Sequence, residues 1–352
     1  MKAWGRLPGD DPERDRAEME AAIADAGIDL DPVPPGHHRH ADGDVHADGH
    51  AHPHQHSGPD ETPSTGIVGA GAVGTALGVA LSRAGWPIQA VASRDPARRA
   101  RFASAVEGAR PFAEAQALVE EVELIILAVP DDAIVPLAEE IRMYSGQAMI
   151  HTSGALGAEV LSPAMAAGTQ IGAFHPLVAF ADTERAVAAL HGATVAIEGD
   201  DELAAMLSTM AERVGAHAVR LAPGSKAAYH AAAVLAAGGF VALLDAIAEL
   251  GAVAGLDEAG SLAIYGPLIE GTLGNARALG IRAALTGPMT RGDHGTLVAH
   301  LDALAAHAPR AVGLYVAAAH REIDLAVERG ALAPETASAM RESLRAALAR
   351  QD

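Results

Sequence analysis

The stretch Thr65-Gly66-Ile67-Val68-Gly69-Ala70-Gly71-Ala72-Val73-Gly74 reads as a β-strand entering a glycine turn and then a helix. It carries the spacing G-x-G-x-x-G in the setting that a dinucleotide site requires. Gly69 permits the tight turn, Gly71 lets backbone approach a pyrophosphate, and Gly74 lets the helix pack close to the strand. The turn and the helix start (Ala70, Ala72, Val73) offer free N–H groups and a positive dipole end to phosphates. An apolar-periodic helix follows (Val73, Leu77, Leu81), and then a second strand at 88–92. Ser93-Arg94 comes next, where an NAD site usually places Asp or Glu for the ribose 2′-OH. A hydroxyl and a guanidinium suit a 2′-phosphate, so the expected cofactor is NADP(H). Arg98 and Arg99, one helical turn on, would reinforce that contact.

Outward from this turn, strands are expected at 65–68, 88–92, 124–129, 148–152, 170–173, 193–197 and 218–221, most of them separated by helical stretches. That alternation predicts an α/β fold with a mostly parallel, doubly wound Rossmann sheet. The pattern changes at Pro223-Gly224-Ser225. Beyond it, helices are expected at 226–254, 261–279, 296–306, 310–329 and 334–350. The expected domains are a tail over 1–62, a dinucleotide-binding domain over 63–222, and an all-helical substrate and dimerisation domain over 223–352. A cofactor cleft is expected between the two domains.

The tail differs in kind. Residues 1–62 hold 5 Lys and Arg against 14 Asp and Glu, a net of −9. A short helix is predicted at 12–26, followed by the breaker Asp31-Pro32-Val33-Pro34-Pro35-Gly36. The run His37 to His56 then holds eight of the 17 histidines. Its apolar content is too low to offset ordering entropy, so it is read as disordered. His50, His52, His54 and His56 could bind Zn²⁺ or Ni²⁺ loosely. No oriented second shell accompanies them, so no catalytic metal is expected.

The 352 residues leave room for two domains. Half are hydrophobic but only 3% are aromatic, so the core must be aliphatic. A formal charge of −20 argues against nucleic acid or an anionic membrane as partner. Cysteine is absent, which excludes disulfides and thiolate chemistry. The start lacks an apolar signal core, and a cytoplasmic protein is expected. Residues 227–244 are long and apolar enough to suggest a membrane span. However, Lys226, Tyr229, His230, Asp245 and Glu249 bound or interrupt them, so they are expected to form the buried centre of the helical domain.

Five places could carry chemistry. Val129 and Pro130 end a strand at the carboxyl edge of the sheet, where backbone would meet the cofactor ribose, and Asp131 could cap the next helix. His151-Thr152-Ser153-Gly154 ends the next strand, where a nicotinamide ring would sit. Ser153 there either orients nicotinamide or substrate or serves as a turn cap. His175, after another strand, could act as general acid or base. Lys226 and His230 share one face of the long helix, with Tyr229 beside them. A buried ammonium there could protonate a carbonyl oxygen as hydride arrives. Arg291, in the loop 285–294, could clamp a carboxylate, while Asp293 caps the following helix.

Together these motifs resemble a family. Residues from about 64 to 350 resemble the Rossmann-like bacterial proteins whose C-terminal half is the domain of unknown function 2520. The carrying residues are Gly69-Ala70-Gly71-Ala72-Val73-Gly74, His151-Thr152-Ser153-Gly154, Phe174-His175-Pro176-Leu177, Lys226-Ala227-Ala228-Tyr229-His230 and Leu285-Thr286-Gly287-Pro288-Met289-Thr290-Arg291-Gly292-Asp293. That family is similar to pyrroline-5-carboxylate reductases, β-hydroxyacid dehydrogenases and ketopantoate reductases. The resemblance implies NADP-linked reduction, usually in a dimer, with Lys226 and His230 at the acid/base positions of the β-hydroxyacid group. His230 stands where that group has asparagine. Relatives also commonly carry Asn in the middle of the long helix, where this chain reads Ala236-Ala237-Gly238-Gly239. Each helix-interior glycine costs roughly 1 kcal/mol against Ala, so close packing is expected there.

The combined expectation is an NADPH-dependent reductase of a small carboxylate-bearing carbonyl substrate. Lys226, His230 or His175 would be the proton donor, Ser153 would orient the substrate, and Arg291 would hold its carboxylate. The leading substrate is 2-ketopantoate, reduced to pantoate. A pyrroline-5-carboxylate-type imine reductase is one alternative, and a non-catalytic NADP-binding or metal-handling protein is another. The surplus of apolar helix predicts a homodimer.

Overall fold

The computed structural model describes residues 37–39, 45–47, 62–167, 169–222 and 224–350. Cα packing divides the chain into two compact units, the division falling between Ala233 and Val234.

The first unit is built on an eight-stranded sheet. Its strands are β1 Thr65–Val68, β2 Ile88–Ala92, β3 Arg110–Phe112, β4 Leu124–Leu127, β5 Ala148–His151, β6 Gln170–Pro176, β7 Thr194–Glu198 and β8 His217–Arg220. Their order is β8-β7-β6-β5-β4-β1-β2-β3. Every neighbouring pair is parallel except β6 with β7. This is the doubly wound sheet expected from the sequence, with two differences. β3 was not expected: it is short, contains Pro111 and lies at the sheet edge, the place where a missing N–H is tolerated. β6 runs on to Pro176, so Phe174-His175-Pro176 belong to a strand and do not follow one. Antiparallel pairing with β7 (His175 opposite Ala196, Pro176 opposite Val195) holds that extension.

The central strands β1, β4 and β5 are buried throughout, as parallel strands covered on both faces must be. Their side chains alternate between two cores. Ile67, Leu124, Ile126 and Ile150 join Leu77, Leu81, Phe102 and Phe174 on one face. Val68, Ile125, Leu127 and Met149 join Leu118, Ile134 and Leu161 on the other. Trp86 Nε1 donates to Thr65 Oγ1 at 2.8 Å inside the first core, and Thr65 Oγ1 in turn donates to the Pro63 carbonyl. The helices include α1 Ala72–Arg83, α2 Pro96–Ala105, α3 Ala115–Val119, α4 Asp131–Glu140, α5 Thr183–Leu190, α6 Asp201–Arg213 and α7 Lys226–Val234.

In the tail, residues His37–Arg39 pair antiparallel with Val45–Ala47. Composition predicted no order there, and backbone pairing needs no apolar content to form this short ladder. The remaining residues of the histidine run, and the helix predicted at 12–26, lie outside the described residues.

The second unit is helical. A π turn at Leu235–Gly239 leads into α8 Phe240–Val253, followed by α9 Glu258–Leu279, α10 Ile281–Ala284, α11 Pro288–Arg291, α12 His294–His307, α13 Val312–Glu328 and α14 Pro334–Leu348. Leu297, Leu301 and Leu304 of α12, Val312, Val316 and Ile323 of α13, and Met340 and Leu344 of α14 form its core. These helices close that core largely by themselves, and this overturns one expectation. The helical run Lys226–Val253 contains an 18-residue window of mean hydropathy 2.1 and is long and apolar enough to cross a membrane, yet none of that window is buried within the chain. Leu235 is 73% exposed. Close packing at Gly238 is also not found, since a Cβ there would meet nothing within 4 Å. The glycines sit in the π turn instead.

Candidate active site

The carboxyl ends of β2, β1, β4, β5 and β6 lie in one row, because these strands are parallel neighbours. From β2 to β5 is three strand spacings, about 14 Å. Ligands of open α/β sheets bind along this edge.

Gly69, at the end of β1, has φ +110°, and a Cβ on it would meet the Ala128 carbonyl at 2.2 Å. A side chain on Gly74 would lie 2.0 Å from the Gly69 carbonyl, so α1 can approach the turn only through glycine. Gly71 is different: a Cβ there meets nothing within 4 Å, and space opens in front of the helix start. Gly71 also caps α1 without a side-chain hydrogen bond, and no acidic residue lies in the first turn. The N–H groups of Ala72, Val73 and Gly74 therefore face an open, positive helix end.

Beside this turn, Ser93 and Arg94 follow β2. Asp95 caps α2 by accepting from the N–H groups of Ala97 and Arg98. Arg98 pairs with Asp95 at 3.4 Å, and Arg99 donates to the Ser93 carbonyl. Arg94 is exposed and has no ion pair among the described residues. Val129 is half-buried and Pro130 is exposed after β4. Pro130 itself is the N-cap of α4, so Asp131 is the first helical residue and not the cap expected from the sequence.

At the end of β5, His151 is fully buried. Its Nε2 lies 3.0 Å from the Gly157 carbonyl, and its Nδ1 accepts the Ser153 N–H at 3.2 Å. That arrangement requires the neutral ring with the proton on Nε2, and burial pushes its pKa down. Ser153 Oγ accepts the N–H groups of Ala155 and Leu156, so it caps the turn as well as lining the edge. Its own hydroxyl proton has no acceptor among the described residues.

Four polar side chains gather next to this turn. The His175 ring stands edge-on to Tyr229 (5.9 Å between centroids) and to His230 (5.5 Å). A Cβ on Gly154 would strike His230 Nδ1 at 2.2 Å and His175 Nε2 at 2.6 Å, so glycine alone lets both rings reach the backbone. Lys226, whose side chain is 8% exposed, lies with its Nζ 3.2 Å from Glu198 Oε1. This is an ion pair without the alignment of a hydrogen bond. His175 Nδ1, Tyr229 OH, His230 Nδ1 and Lys226 Nζ are all buried without a hydrogen-bond partner. Buried polar atoms are rarely left unpaired, and ordered water or a polar ligand would satisfy these.

Burial sets the electrostatics here. It pushes His175 down to about 4, aided by the charges of His230 and Lys226. It pushes the Tyr229 hydroxyl up to about 12. It also lowers Lys226, against which the Glu198 carboxylate acts. At neutral pH the cluster therefore combines a neutral imidazole and a phenol beside the Lys226 amine, all able to donate hydrogen bonds.

Sequence reading brought Lys226, His230, His175 and Ser153 forward, and the fold gathers them with Tyr229. It missed Glu198, which reads in sequence as one more acid in Glu198-Gly199-Asp200-Asp201 before α6. Arg291 belongs to the second unit, where it ends α11, is exposed, and forms no ion pair among the described residues. Asp293 caps α12 through Thr296.

Residues 53–176 match the Rossmann-like domain family, and residues 193–322 match the family described as Domain of unknown function (DUF2520). A Bacteroides fragilis protein described as a candidate NADP oxidoreductase shares 25% identity and superposes with a TM-score of 0.64, over 75% of this chain and 98% of that one. A reductive aminase from Aspergillus terreus, solved with cyclohexanone and allyl amine, shares 18% identity at TM-score 0.54, over 82% and 95%. The pyrroline carboxylate reductase of Plasmodium falciparum, solved with NADP bound, shares 14% at TM-score 0.53, over 80% and 99%. Likeness at these last two levels is one of fold. Among curated protein sequences, none matches the chain.

Proposed function

We propose that this chain, which joins a Rossmann-like domain to a DUF2520 domain, is an NADPH-dependent reductase acting on the carbonyl or imine carbon of a small, carboxylate-bearing substrate. The observation that carries the reading is the set of buried polar atoms on His175, Tyr229 and His230 that lack a hydrogen-bond partner, beside the Lys226–Glu198 ion pair, at the sheet edge that also bears the glycine turn. The open space at Gly71 and the free N–H groups of α1 suit a pyrophosphate. Ser93 and Arg94 suit a 2′-phosphate. The similarity to the Bacteroides protein supports the same cofactor.

Bound there, NADPH supplies the hydride. Lys226 holds a proton on Nζ and gives it to the substrate oxygen or nitrogen as charge develops there. His175, neutral at physiological pH, and Tyr229, protonated throughout, fix the reacting group by hydrogen bonds. His230 Nδ1 adds a further contact. Ser153 orients substrate or nicotinamide with its free hydroxyl proton, and Val129 and Pro130 line the ribose. Arg291 is assigned the substrate carboxylate.

The leading substrate is 2-ketopantoate, on the family resemblance and the phosphate-selecting Ser93-Arg94. A cyclic imine of the pyrroline-5-carboxylate type has comparable support, because the fold is shared with pyrroline carboxylate reductase and reductive aminase. Following NADPH absorbance with each compound separately decides between them. Lys226→Ala should abolish turnover and leave NADPH binding intact; unchanged turnover would remove Lys226 from the mechanism. No turnover with either compound, with NADPH still bound, would favour a different substrate or a non-catalytic NADP-binding role.

A homodimer in the cytoplasm completes the reading. Leu235 and Val241 with Leu262, Ile264, Leu268 and Leu273 leave an apolar surface exposed on the second unit, of the kind that a partner covers. A second copy is the occupant we assign to it. Lipid is disfavoured because Asp245 and Glu249, on the same helix, ion-pair with Arg310.

A further inference from the structure

We propose that Glu198 is a positioning residue for Lys226, holding the ammonium in its buried place and tying it to the turn that follows β5. The inference rests on the reductase reading for its catalytic consequence, but the tie itself stands on geometry.

Glu198 is the last residue of β7, paired with Ala173 of β6 and level with His151 at the end of β5. Its carboxylate is thus carried by the sheet and not by a loop. Its two oxygens face different elements. Oε1 lies 3.2 Å from Lys226 Nζ, at the start of α7. Oε2 accepts the Ala158 N–H at 2.6 Å. Ala158 directly follows Gly157, whose carbonyl meets His151 Nε2, and the same turn begins with Ser153 and Gly154. One carboxylate therefore joins the ammonium to the segment that packs against His175 and His230.

Lys226 needs such a partner. A buried ammonium without a counter-charge loses its proton or leaves its site. Glu198 is the only carboxylate within ion-pair distance of it among the described residues. Glu159 and Asp131 act on it from farther away, and His151, His175, His230 and Tyr229 are the remaining titratable groups around it. The Glu198 side chain is 22% exposed, so it is less deeply buried than the ammonium it faces.

The test measures Lys226 directly and then turnover. Competitive acetylation of the full chain across pH, read by mass spectrometry at Lys226, gives the titration midpoint without any substrate. Glu198→Gln keeps the shape and an acceptor for the Ala158 N–H but removes the charge. The midpoint should fall by about one pH unit or more, the effect of losing an opposite charge within a few ångströms. Glu198→Asp keeps the charge and should restore most of the shift, which also separates charge from any folding defect in the first variant. On whichever substrate turns over, kcat of Glu198→Gln should fall at least about tenfold, with the upper edge of its pH profile moved down in step. The NADPH Kd should be unchanged. A Lys226 midpoint identical in wild type and Glu198→Gln overturns the proposal, as does an Asp variant indistinguishable from the Gln one. A midpoint that moves in a protein turning over neither substrate leaves the tie standing and counts against 2-ketopantoate and pyrroline-5-carboxylate as the substrates.

Discussion

Gly71→Ala is the substitution that best separates cofactor binding from folding. Gly71 is the N-cap of α1 at φ −82° and ψ −169°, extended backbone that any residue adopts. A methyl group there meets no atom within 4 Å. Alanine caps a helix less well than glycine by several tenths of a kcal/mol. Against this, the lost freedom of the unfolded chain stabilises by about 0.4–1 kcal/mol. The two nearly cancel, leaving a net effect within about 0.5 kcal/mol, or roughly 1–2 °C in Tm for a unit of this size. The same methyl would stand where a pyrophosphate must approach the helix start, so the NADPH Kd should rise at least about tenfold, or 1.4 kcal/mol. Gly74→Ala is the control. Its methyl would lie 2.0 Å from the Gly69 carbonyl and 3.1 Å from Ala128 Cβ. The turn must open to admit it, so both stability and NADPH binding should suffer, the first by about 1–3 kcal/mol. Thermal unfolding without ligand and fluorescence titration with NADPH read the two quantities separately. NADPH binding to Gly71→Ala as tight as to wild type would refute the placement of the pyrophosphate at this turn. A Tm loss equal to that of Gly74→Ala would refute the space assigned to Gly71.

Other outcomes follow from the same geometry. His175 has its pKa depressed to about 4, so its neutral form stabilises the fold above the unfolded value of about 6.5. That contribution, at most about 3 kcal/mol, should be lost as pH falls from 6.5 toward 4, and urea titrations of His175→Gln should show a flatter pH dependence than wild type. His151 acts in the same direction, so the slope should lessen without vanishing. Thr65→Val should cost about 1–3 kcal/mol by leaving the buried Trp86 indole N–H unpaired; denaturation midpoints equal to wild type would exclude that bond as a contributor. Leu268→Glu, at a position 67% exposed in the single chain, should leave the monomer fold within about 0.5 kcal/mol of wild type. In size-exclusion chromatography with light scattering it should convert a dimer to a monomer, and a dimer that persists would move the interface elsewhere.

Much of the first unit was legible because its signals are local. Runs such as Leu124–Leu127 can only be strands covered on both sides, and the glycine spacing after Val68 belongs to one kind of turn. The misses share a different cause. Arg110-Pro111-Phe112 is a strand only because β2 lies beside it. Phe174–Pro176 stay extended only because β7 runs back along them. Asp131 seemed a cap because acids often are, yet the backbone of Pro130 already occupied that place.

The same division runs through the candidate site. The sequence by itself determined the dinucleotide turn, the pairing of Lys226 with His230 on one helical face, and the polar turn at Ser153, because spacing of three to five residues sets which groups are neighbours along a helix or a turn. Only the tertiary structure decided that His175 meets Tyr229 and His230 across Gly154, and that Glu198, 28 positions before Lys226, is its counter-ion. Only it revealed that the first part of the most apolar helical run, around Leu235 and Val241, is left exposed by the chain's own core. Contacts between distant segments are fixed by how the sheet and helices pack, and no local pattern of residues records them.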